Sequence, residues 1–191
     1  MEQTTIMIAM QNLQAADKIK YVLQQNGYSV METCTSGSET LRRVRALAPD
    51  ILLINFDMPD MTGFEAASII GDENLCSMVL FVTSAQRDIC EELARDYDIT
   101  LVLKPVNMQG LLATLDAVTQ SRRRIERLGS ELSKLKKGLD DRKIVERAKG
   151  ILMDKKGISE AEAYRRMQKM SMDCRVAMRD IAEKIIELSH N

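Results

Sequence analysis

The sequence predicts a doubly wound α/β domain with a five-stranded parallel sheet, followed by a helical coiled-coil linker and a small three-helix bundle. Three observations carry that prediction. Short apolar runs of strand length alternate with helical periodicity over the first ~120 residues. All three prolines, Pro49, Pro59 and Pro105, lie in that stretch; the remainder is free of a residue that costs ~3 kcal/mol inside a helix. Charge divides at the same place. Residues 1–120 hold 8 Lys+Arg against 16 Asp+Glu, a net of −8, whereas residues 121–191 hold 19 against 12, a net of +7. The expected units are 1–120, 121–140 and 141–191.

Taken in order, residues 5–10 (TIMIAM) have strand length, and 13–25 have helical spacing with Ala16, Ile19, Val22 and Leu23 on one side. Gly27 suits the position just past that helix. Residues 28–32 form a second strand, and 38–48 a helix that Pro49 stops. Residues 50–56 (DILLINF), 78–83 (MVLFVT) and 100–103 (TLVL) are nearly continuous apolar strands, the pattern of a sheet covered on both faces. Helices over 63–70, 88–95 and 107–118 separate and follow them. Ligands of such sheets bind at the carboxyl ends of the strands, so the residues ending each strand hold the functional information.

Composition bounds the function classes. The 191 residues are 45% hydrophobic and 29% charged, which supplies a core and excludes disorder as the dominant state. No apolar run approaches the ~20 residues of a membrane-spanning helix. The opening segment has no basic stretch before its apolar residues, and a cytoplasmic location is expected. Cys34, Cys76, Cys90 and Cys174 are scattered without a C-x-x-C pair, and His190 is the one histidine. Reduced thiols are therefore expected, with no metal site and no cofactor.

The strand-end residues carry a resemblance. Residues 49–65 (PDILLINFDMPDMTGFE), Thr83 after the fourth strand and Lys104-Pro105 after the fifth resemble the receiver domain of bacterial response regulators, a flavodoxin-like fold. Two departures follow from that likeness. The family's phosphoacceptor aspartate falls on Asn55, and its acidic pair after the first strand falls on Met10 and Gln11. A carboxylate can attack phosphorus and hold Mg²⁺; a carboxamide, its nitrogen lone pair delocalised, is a poor nucleophile. Asp57 matches a position that offers a backbone carbonyl, not an acceptor side chain. The expectation is a pseudo-receiver without aspartyl-phosphate chemistry, in which Lys104 pairs with Asp57, Asp60 or solvent.

Ile125, Leu128, Leu132, Leu135 and Leu139 are spaced 3, 4, 3, 4, an a/d seam flanked by charge. Leu111 and Val118 extend it backwards, with Ser121 interrupting. Such a seam must be covered. A parallel homodimer is the first expectation, and folding back onto the chain's own C-terminal helices the second. Gly129 and Gly138 weaken the helix by ~1 kcal/mol each relative to Ala.

Beyond it, residues 141–156 place Ile144, Val145, Ala148, Ile151 and Leu152 on one face, and Gly157 ends the helix. Ser159 and Glu162 have capping-box spacing for a second helix running to about residue 170, with Ala163, Tyr164, Met167 and Met170 inward. Asp173 is a candidate cap for a third, with Met178, Ile181, Ala182, Ile185 and Ile186 inward. The run RKIVERAKGILMDKKGISEAEAYRRMQKMSMDCR…MRDIAEKII resembles the ANTAR output domain of transcription antiterminators. That resemblance implies binding of paired hairpins in a nascent leader transcript. Lys149, Arg165, Arg175 and Arg179 are the expected direct contacts, the last two read as i,i+4 on the third helix. Lys155, Lys156, Arg166 and Lys169 supply steering charge. Charge alone leaves open whether these are only solvated helix faces. A DNA-binding regulator and a protein-interaction adaptor are the alternatives, and a regulatory protein partner is a further expected input. No nucleophile–base constellation or glycine-rich phosphate loop points to an enzyme.

Overall fold

The computed structural model describes residues 3–189; His190 lies outside them. Five strands, β1 (Thr5–Ala9), β2 (Ser29–Cys34), β3 (Ile51–Asn55), β4 (Ser77–Val82) and β5 (Ile99–Leu103), form one sheet in the order β2-β1-β3-β4-β5, every pairing parallel. Between and after them run α1 (Leu13–Gln25), α2 (Gly37–Leu47), α3 (Gly63–Asp72), α4 (Ser84–Asp96), α5 (Met108–Lys156), α6 (Glu160–Cys174) and α7 (Met178–Glu187).

Strand alternation divides the apolar residues between two faces. Met7, Leu52, Ile54, Met78 and Leu80 point to one side, where Leu41 and Val44 of α2, Ala66 and Ile70 of α3 and Cys90 of α4 cover them. Ile6, Ile8, Leu53, Val79 and Phe81 point to the other, where Ala16, Ile19 and Leu23 of α1 meet Leu111, Leu115 and Val118 of α5. This double covering explains why β3 and β4 read as unbroken apolar runs. At the carboxyl ends of the strands the loops pack tightly. A Cβ on Gly63 would fall 2.0 Å from the Asn55 carbonyl oxygen, and one on Gly37 would fall 2.0 Å from that of Met61.

The chain packs as two compact units, Met1–Arg124 and Ile125–Asn191, and α5 contributes to both. In the second, Ala148 of α5, Met167 of α6 and Ile181 and Ala182 of α7 form the buried centre, flanked by Ile144, Leu152, Val176 and Ile185.

Several elements differ from expectation. The helices expected over 107–118 and 141–156 are joined through the linker into one 49-residue helix, which runs through Gly129 and Gly138 without a break. Leu111 and Val118 do not extend the seam, because the sheet buries them. α4 starts at Ser84, where the Gln86 side chain accepts from the Thr83 backbone N–H at 2.9 Å and caps the first turn. Asp173 caps nothing; it lies in the last turn of α6. That helix continues to Cys174 and stops because Arg175 adopts a left-handed φ of 55°. Ala177 opens α7, with its N–H donating to the Asp180 carboxylate at 3.1 Å. Ala163 and Met167 are buried as expected, but Tyr164 and Met170 are exposed.

Candidate functional site

Two places invite a functional reading. The first is the crevice at the carboxyl ends of β1 and β3, where the strand order changes direction. Met10 follows β1 and is buried; Gln11, beside it, is exposed. Asn55 ends β3, and its Nδ2 donates to the Asp57 carbonyl at 2.9 Å. The Asp57 carboxylate accepts from Gln86 Nε2 at 2.9 Å and pairs with Lys104 Nζ at 3.5 Å. Lys104 thus chooses Asp57 from its three candidate partners. Asp60 is occupied elsewhere. It accepts from the Gly37 and Met61 backbone N–H groups at 3.1 and 2.7 Å and from the Ser38 hydroxyl, and that hydroxyl chiefly holds its carboxyl below the usual range. Thr83 is half-buried after β4 and enters the crevice network through its backbone N–H to Gln86. Gln86 is the member sequence reasoning missed; its position one turn into α4 carried no signal of a reach back to Asp57. Among the described residues, no cluster of three His, Cys, Asp or Glu side chains is placed to hold a metal ion.

The second place is the cationic surface of α5, α6 and α7. Lys149 is not the outward contact expected of it. Only 6% of it is exposed, and its ammonium sits 2.8 Å from Glu146, 2.7 Å from Glu160 and 6.0 Å from the Tyr164 ring centroid. Hydrogen bonds to Glu146 and then Glu160 raise its pKa above the ordinary lysine value, and the same bond lowers that of Glu160. Arg179 is likewise tied, to Asp141 at 2.6 Å and Glu183 at 2.8 Å. Arg166 pairs with Glu162 at 3.1 Å, and Lys155 donates to the Ser189 carbonyl at 3.1 Å. Glu162 therefore completes only half of a capping box: its N–H donates to Ser159 Oγ at 3.3 Å, while its carboxylate serves Arg166. Arg175 stands in the turn between α6 and α7, not on α7. The side chains of Lys156, Arg165, Lys169 and Arg175 are exposed and carry no carboxylate partner among the described residues.

The family model of the response regulator receiver domain matches residues 6–116, and that of the ANTAR domain matches residues 133–186. The chain belongs to the receiver–ANTAR family of response regulators. Its similarity to the transcriptional regulatory protein PdtaR of Mycobacterium tuberculosis is 30% identity over 166 residues, covering 87% of this chain and 81% of that protein. A nitrate regulatory protein of Klebsiella oxytoca is 35% identical over 72 residues, covering 38% of this chain and 18% of that one. The receiver fold is shared with the signal receiver domain of a Luxo repressor protein from Vibrio parahaemolyticus, with a TM-score of 0.60 at 13% identity, over 66% of this chain and 98% of that domain.

This receiver–ANTAR chain is thus a transcription regulator, and its family is one of regulators and not of enzymes. Among the described residues no helix is long and apolar enough to cross a membrane. Within the ANTAR unit the seam residues Ile125, Leu128, Leu132, Leu135 and Leu139 are all at least half exposed, so α6 and α7 do not cover them. The fold-back expectation gives way for a simple reason: both helices spend their apolar faces on Ala148 and its neighbours, one to three turns beyond the seam.

Proposed function

We propose that this receiver–ANTAR protein is a homodimeric antitermination regulator. It binds paired hairpins in nascent leader RNA through its ANTAR unit, and its input is not phosphorylation of an aspartate. The observation that carries the RNA reading is the sorting of cations just described. Lys149 and Arg179 spend their charge on carboxylates of the same helical unit, whereas Lys156, Arg165, Lys169 and Arg175 are exposed and leave theirs for an external polyanion. Arginine can grip phosphate with two parallel N–H bonds or stack on a splayed base, and hairpin loops offer both. Four phosphate contacts to single-stranded loop predict that log K falls with log salt with a slope of about −3. Titration of the full chain with leader hairpin RNA across salt concentrations tests this. A flat salt dependence, or equal competition by duplex DNA, overturns it.

Dimerisation is supported by the uncovered seam and by its flanking charge. With Ile125 and Leu128 at a and d, Glu131 falls at g and Lys136 at e. In a parallel pair these face one another across the interface; in an antiparallel pair each approaches its own kind. The receiver reading is supported by the side chains at the crevice: a thioether, an exposed amide and a carboxamide stand where aspartyl-phosphate chemistry needs anions, and Lys104 is engaged by Asp57. Acetyl phosphate with Mg²⁺ therefore leaves the mass of the intact protein unchanged; a gain of one phosphoryl group on an aspartate overturns this.

A further inference from the structure

The crevice that lacks an anionic cluster is not filled in. Between α1, the ends of β1 and β3 and the start of α5 lies a cleft of about 350 Å³, inside the size range of small-molecule sites. Its walls are mostly apolar: Met10, Ile19, Phe81, Val106 and Met108. Its polar lining residues are Asn12, Asn55, Lys18 and Lys104; no Asp or Glu is among them. Lys104 is 3.5 Å from Asp57, and that carboxylate is 61% exposed and also serves Gln86. An ammonium has three N–H donors, so this single pairing leaves Lys104 able to receive another anion. Lys18 is exposed on α1. From Lys18 and Met108 the apolar surface continues onto Val22 and the exposed Tyr21, a second depression with Asp17 on its border.

Two lysines and no carboxylate among the lining residues disfavour a metal ion, and Lys104 keeps N–H donors beyond the one that meets Asp57. The lysines and the apolar walls complement a molecule with an apolar body and one acidic head. The location agrees: in open parallel sheets, ligands seat in the crevice where strand order reverses, here between β1 and β3. We infer that this cleft binds a small amphipathic organic acid, its chain or ring against Met10, Phe81, Val106 and Met108 and its carboxylate or phosphate held by Lys18 and Lys104. The site would supply the receiver unit with a non-covalent input. It rests on the reading that no aspartyl phosphate forms there, but binding is measured directly, so each can fail without the other.

The chain's own methionines report on the site. The full-length protein, labelled with ¹³C at its methionine methyls, is titrated with decanoate below its micelle concentration, and separately with decyl phosphate and decanol. Met10→Leu and Met108→Leu assign the two signals of interest. Saturable shifts at Met10 and Met108 with at least one of the two acids, and none at Met167 in the ANTAR core, are expected. Lys18→Glu, an exposed change on α1, weakens acid binding by about tenfold or more, the equivalent of one charge-assisted contact. The ratio of the two acids tells carboxylate from phosphate as the preferred head. The inference is overturned if neither acid gives saturation, if methionines throughout the chain shift alike, if decanol binds as well as the acids, or if Lys18→Glu changes nothing.

Discussion

Leu132→Ala tests how the long helix is covered. Leu132 is 54% exposed in the single chain and sits in the middle of the five-residue seam. Alanine has the highest helix propensity, so the change removes side-chain carbons without weakening the helix itself. Three carbons are lost, each contributing about 0.8 kcal/mol when fully buried. Scaled by the exposed fraction, the burial gained on pairing falls by about 1.3 kcal/mol per copy and about 2.6 kcal/mol per symmetric dimer, an ~80-fold rise in the dimer dissociation constant. Sedimentation equilibrium of the full chain over a range of concentrations measures that constant for parent and variant. Far-ultraviolet circular dichroism at high concentration verifies that the helix is intact. A parent chain that is monomeric at every concentration, or a variant whose dimer constant equals the parent's, refutes the assignment of the seam to a second copy. Orientation is read from Ile125→Cys, which joins two copies by a disulfide under mild oxidation only if the helices run parallel.

The other predictions are more local. Arg165→Gln and Arg175→Gln each reduce the magnitude of the salt slope of RNA binding by about 0.7 and leave thermal stability unchanged. Lys149→Met does the reverse, lowering the midpoint of ANTAR-unit unfolding without altering the slope, because its ammonium serves Glu146 and Glu160. Hydrogen bonding to Lys149 lowers the carboxyl pKa of Glu160 in the folded chain. The stability it contributes is therefore present above the ordinary carboxylate pKa and lost as pH falls through the depressed value, and Glu160→Gln flattens the acid limb of an unfolding-versus-pH curve. Burial pushes the thiol of Cys34 up to about 11 and that of Cys76 up to about 12, and Cys90 is also buried, while Cys174 is exposed. Ellman's reagent under mildly alkaline native conditions accordingly titrates Cys174 alone, and all four thiols only after denaturation; rapid reaction of a second native thiol contradicts the packing.

The sheet was legible because four of its five strands hold short apolar runs, and the two-faced covering left β3 and β4 nearly without interruption; β2, SVMETC, is the mixed and half-buried exception. Met10, Asn55, Thr83 and Lys104 were legible because they end or follow apolar runs and carry the receiver resemblance; Gln86, inside α4, was not. What periodicity could not supply was tertiary choice. Lys149 follows Ala148 on α5, and helical spacing alone turns it outward; its burial depends on Glu160, which arrives from the start of the next helix. Arg175 and Arg179 share an i,i+4 interval, but a left-handed residue at position 175 breaks the helix that would align them. Tyr164 has the spacing of a core residue, yet Ala163 and Met167 already occupy the inner face, and its ring goes to the rim above Lys149. Leu111 and Val118 fit the heptad arithmetic equally well whether the partner is another helix or a sheet, and the sheet is nearer in the chain.

The unbroken run of α5 from Met108 to Lys156 carries a consequence for how such a protein can change its length. Each residue of an α-helix turns the chain by about 100°. Inserting one residue between Leu128 and Leu132 would swing the downstream leucines, and every cation beyond them on the helix, a little over a quarter of a revolution away from the upstream ones. Inserting seven returns them to within about 20° of their azimuth. Insertions and deletions in this stretch are therefore quantised: whole heptads preserve the phase between one end of the helix and the other, and anything else rewrites it.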